Sequence, residues 1–169
     1  MGNFWILLMA LVFTGCGYKP TSQIAQDVLG DRVYVEVAIS IQDAQNSVLV
    51  KDAVKEAMIS RLNRDVVSRS EAQTLIFARL GTVSFSPTLY DKDGYVIAYK
   101  AHTNLRLRTV YESGKEDNIM VSGEYDFTIE PNSVISDAKR FEAIKNASYE
   151  ALDEYVALLA IRGLHEHNK

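Results

Sequence analysis

The strongest constraint on the fold of this chain is the alternation of apolar and polar residues in four separate segments. Residues 33–41 (VYVEVAISI) alternate strictly, and residues 95–111 and 119–130 follow the same pattern. Residues 74–85 alternate less cleanly, with Gly81 as a candidate bulge or close approach of another backbone. A period of two residues predicts β-strands with one buried face. The chain is therefore expected to form a sheet of four strands.

Two further segments have the period of an α-helix. Asn46 or Ser47 can cap a helix that reaches about residue 63, and Ser136 with Asp137 can open a second helix that reaches about His165. Each segment carries one apolar stripe, formed by Val50, Val54, Ala57, Met58 and Leu62 in the first and by Phe141, Ile144, Ser148, Ala151, Leu152, Tyr155, Leu158 and Leu159 in the second. A single stripe is typical of a helix that lies on a sheet.

The order of these elements, β-α-β-β-β-α, predicts an α+β fold. A strand-helix-strand crossover usually joins parallel strands, whereas the short turns that follow join antiparallel strands. The sheet is therefore expected to be mixed. Because each helix has one apolar stripe and the strands share one strongly apolar face, we predict a two-layer sandwich with both helices on the same face. The opposite face is left for solvent or a partner.

The first 15 residues have the character of a signal peptide. They contain no charged side chain, and the apolar run Phe4–Phe13 is followed by the small residues Thr14 and Gly15. The run is about half of the roughly 20 apolar residues that a helix needs to cross a bilayer. We predict that residues 1–15 are removed, although the usual Lys or Arg before the apolar run is missing.

Cys16 is the only cysteine, so the chain cannot form an internal disulfide. Residues 13–16 (FTGC) resemble the bacterial lipobox, in which the cysteine is acylated and becomes the mature N-terminus. By the same resemblance, Gly17 favours the outer membrane. A free cysteine in an uncleaved apolar tail is the alternative. Residues 16–31 are expected to be a lipid anchor and polar tether, and residues 32–169 a single domain.

Composition and motifs argue against nucleic-acid binding and catalysis. The net charge is −4, so the whole chain has no general attraction for nucleic acid. Of the three histidines, His102 lies on the polar face of a predicted strand, and His165 and His167 lie near the C-terminus without a third metal ligand nearby. Asp91 and Asp93 lack the closing Glu of a calcium loop. We predict a protein that is not an enzyme and needs neither cofactor nor metal.

The polar face of the predicted strand 95–111 is basic, with Lys100, Arg106 and Arg108 at even positions. Two interpretations remain open, since these cations can form ion pairs across the hairpin or can bind an anionic ligand. A turn centred on Lys115 would set Lys100 opposite Glu130, Asn104 opposite Asp126 and Arg106 opposite Glu124. This pairing would also explain the acidic face of residues 119–130 without an active site.

The residues around Cys16 (GCGYKP, residues 15–20) and the order of elements together resemble the LptE family of outer-membrane, lipopolysaccharide-assembly lipoproteins. The resemblance implies a protein that is not an enzyme and that sits in the lumen of LptD, the β-barrel that inserts lipopolysaccharide into the outer leaflet. It also implies that the chain supports assembly of the barrel, plugs it and binds lipopolysaccharide. A free-standing, periplasm-facing ligand-binding lipoprotein is the competing interpretation, and would need a concave apolar pocket.

The resemblance suggests which residues meet the ligand and the barrel. Basic residues on the sheet and its loops contact the glycolipid in the family, and the matching features here are Lys100, Arg106 and Arg108, with Arg79 and Lys92 as further candidates. The predicted loop 87–94 exposes Leu89 and Tyr90 at its tip, where they are expected to contact the barrel. The polar face of the sheet suits a barrel lumen, because the residues that line such a lumen are polar.

Overall fold

The computed structural model describes residues 28–39 and 47–167. The predicted signal peptide, Cys16 and Gly17 lie outside these residues. In chain order the elements are β1 (Arg32–Ile39), α1 (Ser47–Leu62), β2 (Asp65–Val66), β3 (Thr74–Tyr90), β4 (Val96–Val110), β5 (Glu116–Thr128) and α2 (Asp137–His167). The predicted α+β class and the two helices are confirmed.

The sheet has five strands in the order β2-β1-β3-β4-β5, so the prediction of four strands is wrong. The additional strand is β2, whose two residues are too few to show a hydrophobic period. It forms because the chain that leaves α1 passes along β1, where Asp65 N donates to Asp31 O and Val67 N donates to Val33 O. As predicted, the sheet is mixed, with β1 parallel to β2 and β3 and the other neighbours antiparallel.

One face of the sheet, here called the covered face, packs against both helices. Its buried residues are Val33, Val35, Val37, Ile76, Ala78, Leu80, Leu105, Leu107, Ile119 and Val121, and the helices contribute Ala53, Val54, Ala57, Met58, Ile144, Ala151, Leu152, Tyr155 and Leu159. These side chains form one apolar cluster, which confirms that both helices lie on the same face. Tyr95, predicted for this face, is instead 47% exposed because it lies in the turn before β4.

Helix α2 approaches β5 more closely than a side chain at position 123 would allow. A Cβ atom on Gly123 would collide with the carbonyl oxygen of Ala147 and would lie 2.6 Å from Ala151 N. At the same place, Glu124 N donates to the Glu150 carboxylate at 2.7 Å and Ser122 N donates to the Glu154 carboxylate at 3.4 Å. The helix therefore supplies acceptors for the outer edge of β5.

The turn between β4 and β5 corrects the predicted register. Tyr111 N donates to Lys115 O, and Gly114 takes a positive φ of 80° that a residue with a side chain rarely adopts. The turn is thus centred on Ser113 rather than on Lys115. In consequence Lys100 faces Asp126, Asn104 faces Ser122 and Arg106 faces Met120, so the three predicted cross-strand pairs are wrong.

No helix among residues 28–39 and 47–167 combines the length and apolar character that crossing a membrane requires.

Candidate anion-binding face

The sheet face that points away from both helices, here called the open face, concentrates arginine side chains at its centre. The register of β3 and β4 sets Arg79 directly opposite Arg106, and the register of β4 and β5 sets Arg106 opposite Met120. Arg108 follows two positions along β4 and shares the same face. We call Arg79, Arg106 and Arg108 the arginine patch.

Arg79 and Arg106 carry positive charge that the described part of the chain does not neutralise. Both residues are exposed, and no ion pair joins either guanidinium to a carboxylate of the described residues. Like charges directly opposite each other on neighbouring strands destabilise a sheet. An anion bound between the two guanidinium groups would relieve this repulsion.

Arg108 differs from the other two arginines because it has an aromatic contact and a carboxylate partner. Its guanidinium lies 4.7 Å from the centre of the Phe77 ring and 3.4 Å from a Glu116 carboxylate oxygen. Arg69, from the loop between β2 and β3, approaches the same ring at 5.6 Å. The Phe77 ring therefore contacts the guanidinium groups of both Arg69 and Arg108, on the same sheet face as Arg79 and Arg106.

Two shallow cavities flank the arginine patch, and Arg79 and Arg106 line both of them. One has a volume of about 270 Å³, and its lining also includes Phe77, Arg108 and one carboxylate, that of Glu36. The other has a volume of about 380 Å³ and is also lined by Met120. Met120 is 62% exposed. A ligand at this place would meet cationic and apolar surface together, which suits an anionic amphiphile.

Lys100 lies away from the patch and is neutralised. Its Nζ is 2.7 Å from a Glu124 oxygen and 3.8 Å from an Asp126 oxygen. The hydrogen bond to Glu124 raises the pKa of Lys100, and the same bond lowers the pKa of the Glu124 carboxyl. Six positions of β4 separate Lys100 from Arg106, a distance of about 20 Å in an extended strand. The ion-pair interpretation thus holds for Lys100, with Glu124 reached diagonally.

The two residues predicted to contact a barrel lie at the far end of the sheet. Leu89 and Tyr90 end β3 rather than lying in a loop, and they are 53% and 56% exposed. Lys92 lies in the turn that follows, where Asp91 accepts hydrogen bonds from Asp93 N and Tyr95 N. This end of the hairpin is about 35 Å from Arg79 along the strand, so Lys92 does not join the arginine patch.

A protein-family model described as LptE, lipopolysaccharide-assembly, matches residues 34–159. The chain belongs to the LptE family. The match runs from β1 into α2 and includes the open face with its arginine patch. It confirms the resemblance that the sequence suggested.

Solved lipoprotein structures are similar to this LptE-family chain at low sequence identity. Rare lipoprotein B from Shewanella oneidensis is 12% identical with a TM-score of 0.38, and the similarity covers 80% of this chain and 93% of that one. Uncharacterized lipoprotein B from Nitrosomonas europaea is 14% identical with a TM-score of 0.42, covering 90% and 97%. A minor lipoprotein from Acinetobacter baumannii is 5% identical with a TM-score of 0.41, covering 78% and 92%. No curated protein matches.

A third cavity, of about 400 Å³, lies at the opposite end of the sheet from the tip of the β3–β4 hairpin, where Leu89 and Tyr90 lie. Its one arginine is already paired, since Arg162 lies 3.0 Å from Asp117 and the Tyr111 hydroxyl donates to the same carboxylate at 3.0 Å, and Glu112 adds a further carboxylate to the lining. Burial raises the pKa of Tyr111, so this hydroxyl stays protonated. The cavity therefore offers an anionic ligand less than the arginine patch does.

In this LptE-family chain, the described residues contain no group of three or more His, Cys, Asp or Glu side chains that could hold a metal ion. His102 Nδ1 lies 3.6 Å from a Glu124 oxygen on the open face, beside the Lys100 pair. The sequence had not indicated Arg69 or Phe77. Phe77 lies at one of the β3 positions that face away from the helices, and Arg69 lies in a loop. Neither residue therefore belongs to an alternating apolar pattern.

Proposed function

We propose that this chain is an outer-membrane lipoprotein, anchored through acylated Cys16, that partners the β-barrel LptD during lipopolysaccharide transport. In this proposal it supports assembly of the barrel, plugs the lumen from the periplasmic side and binds lipopolysaccharide. Membership of a lipopolysaccharide-assembly family supports the proposal. The observation that carries it to particular residues is the opposition of Arg79 and Arg106 on the open face.

The chemistry of the arginine patch fits the phosphate groups of lipopolysaccharide. A guanidinium presents paired N–H donors that match two oxygens of one phosphate. Each charge-assisted hydrogen bond contributes about 1.5–3 kcal/mol. Phe77 and Met120 provide apolar surface beside the two cations, where the acyl part of a glycolipid can lie. Lys100 is occupied by Glu124, so its contribution is smaller.

The shape of the fold also supports a place inside a barrel. Both helices cover one face of the sheet, so the open face and the hairpin tip remain for a partner. The open face is mostly polar, with Asn104, Asn118 and Ser122 beside its charged residues. A polar surface of this kind suits the polar interior of an outer-membrane barrel. Leu89 and Tyr90 add an apolar contact at one end.

A double substitution tests the assignment of the patch. Arg79→Gln with Arg106→Gln should weaken binding of purified lipopolysaccharide to the mature chain by at least tenfold, as expected for loss of two charge-assisted contacts. Lys100→Gln is the matched control, because it removes one cation from the same face that is already paired, and it should change binding by less than about twofold. Equal binding by wild type and the double variant would contradict the assignment.

A further inference from the structure

Among the described residues, the outer edge of β3 has a neighbouring strand along only the first half of its length. The pairing of β1 with β3 ends at Ile39 and Leu80, whereas β3 continues to Tyr90. A register shift follows between Leu80 and Val83. Beyond it, β3 pairs with β4 alone among the described residues.

The backbone groups on this edge can be assigned from the ladder. Ile129 N donates to Ile97 O, so the main chain of Ile97 faces β5. Backbone direction alternates along an antiparallel strand, so the even residues of β4, including Lys100 and His102, face β3. Their partners Ser86 and Ser84 therefore bond to β4. The main-chain groups of the odd residues in between consequently point outward.

The outward residues are Val83, Phe85 and Pro87. Val83 and Phe85 each present an N–H donor, all three residues present a carbonyl acceptor, and Pro87 has no N–H to leave unpaired. Proline on the outer side of an edge strand is the position that a sheet tolerates. No hydrogen bond of the described part of the chain uses the Val83 or Phe85 amide.

Two other edges of the sheet are covered in part by described residues. The outward amides of β5 at Ser122 and Glu124 donate to Glu154 and Glu150 of α2. Strand β2 covers part of the outer edge of β1. An uncovered row of backbone donors and acceptors is a template for another strand. No described residue covers such a row at residues 83–87, which is short enough to limit indiscriminate pairing.

We propose that an extended segment of the barrel partner adds to the sheet as a strand along residues 83–87, beyond the last described residue pair of β1 and β3, Ile39 with Leu80. This inference rests on the proposed function. A strand from a partner satisfies the amides of Val83 and Phe85 as main-chain pairing does in β-strand addition. The Arg140 guanidinium lies 5.1 Å from the Phe85 ring and has no carboxylate partner among the described residues, so the added segment is expected to carry an acidic side chain.

Two substitutions at one position separate the amide from the side chain. Phe85→Pro and Phe85→Ala both remove the ring, but only Phe85→Pro removes the outward N–H. In the full-length tagged chain purified from outer membranes, Phe85→Pro should recover at least fivefold less barrel than Phe85→Ala. Equal recovery by the two variants would overturn the inference. Failure of the proposed function gives a different result, in which the wild-type chain itself recovers no barrel.

Hydrogen exchange gives a second measurement if Phe85→Pro does not fold. In the wild-type mature chain alone, the Phe85 amide should exchange rapidly, and in the complex with the barrel it should be protected at least tenfold. The Glu124 amide, which donates to Glu150, is the control and should be similar in both samples. Protection of the Phe85 amide in the isolated chain would mean that the chain itself, or a second copy of it, covers the edge. That protection, or the absence of added protection in the complex, would overturn the inference.

Discussion

Two arginines directly opposite each other on neighbouring strands repel, and a bound ligand with negative charge offsets that repulsion. Arg79 and Arg106 form such a pair on the open face, whereas Arg108 has Glu116 and Lys100 has Glu124. The difference between paired and unpaired cations decides which residues we assign to lipopolysaccharide. At the scale of single residues, removing the positive charge of Arg79 or Arg106 should therefore increase the stability of the fold and weaken ligand binding.

Arg106→Glu tests this opposition. The new carboxylate would lie opposite Arg79, and a cross-strand ion pair contributes about 0.2–1 kcal/mol, so the free energy of unfolding should increase slightly. Binding of lipopolysaccharide should fall by at least tenfold. Thermal unfolding and a binding assay on the same preparation measure the two effects. Arg106→Gln should lie between wild type and Arg106→Glu in stability, and unchanged binding by Arg106→Glu would contradict the account.

Part of the arginine patch could be predicted from residue order alone. Alternation placed Arg106 and Arg108 on the polar face of β4, and they do lie there. The opposition of Arg79 and Arg106 could not be predicted, because it depends on the register of two strands. The contribution of Arg69 to the Phe77 ring depends on a loop conformation. Alternation constrains which face a side chain shares, but not its cross-strand partner.

At the scale of elements, the sequence indicates where strands and helices occur more reliably than where they end. Gly81 indicated an irregularity in β3, and the register shift between Leu80 and Val83 confirms it. The predicted turn at residues 87–94 is shorter, because β3 extends to Tyr90. The predicted register of β4 with β5 was wrong because the turn that joins them is centred on Ser113 and not on Lys115. The hydrogen bond that closes this turn and the positive φ of Gly114 are local features that hydrophobic periodicity does not reveal.

The docking of α2 on β5 gives a prediction for one element pair. Gly123→Ala would push the new methyl group into the backbone of α2 at Ala147, and overpacking of this kind costs about 1–3 kcal/mol. Denaturant unfolding should show that loss. Gly81→Ala is the matched control, because a Cβ there would meet the Asn104 carbonyl oxygen at 3.4 Å and can be accommodated. Equal stability of the two variants would mean that α2 lies farther from β5.

At the scale of the whole molecule, the two ends of the sheet have different surroundings. At one end, the carbonyl oxygen of Leu29 accepts a hydrogen bond from Thr74 Oγ1 at the start of β3. The hairpin tip with Leu89 and Tyr90 lies at the other end of the same strand, about 50 Å away. That length exceeds the roughly 30 Å of a bilayer's hydrocarbon core. A sheet of this length is therefore long enough for the proposed place inside a barrel, with its two ends on opposite sides of that core.

The exposed hairpin tip gives the prediction that belongs to this scale. Leu89→Ser with Tyr90→Ser should reduce the amount of barrel recovered with the tagged chain by several fold, because apolar contact area is lost. The melting temperature should change little, since both side chains are more than half exposed. Ile59→Ser with Ile161→Ser is the control, because these exposed apolar residues lie on the helices. A similar loss of barrel with the control pair would remove the assignment from the tip.

The proposed partnership with a barrel is tested most directly by purifying the full-length tagged chain from outer membranes in mild detergent and identifying what accompanies it. We expect one major partner, an outer-membrane β-barrel identified by mass spectrometry as LptD, together with retained lipopolysaccharide. The amount of lipopolysaccharide should fall in the Arg79→Gln, Arg106→Gln variant while the barrel remains. Recovery of the wild-type chain alone, or with a different partner in the place of the barrel, would contradict the account.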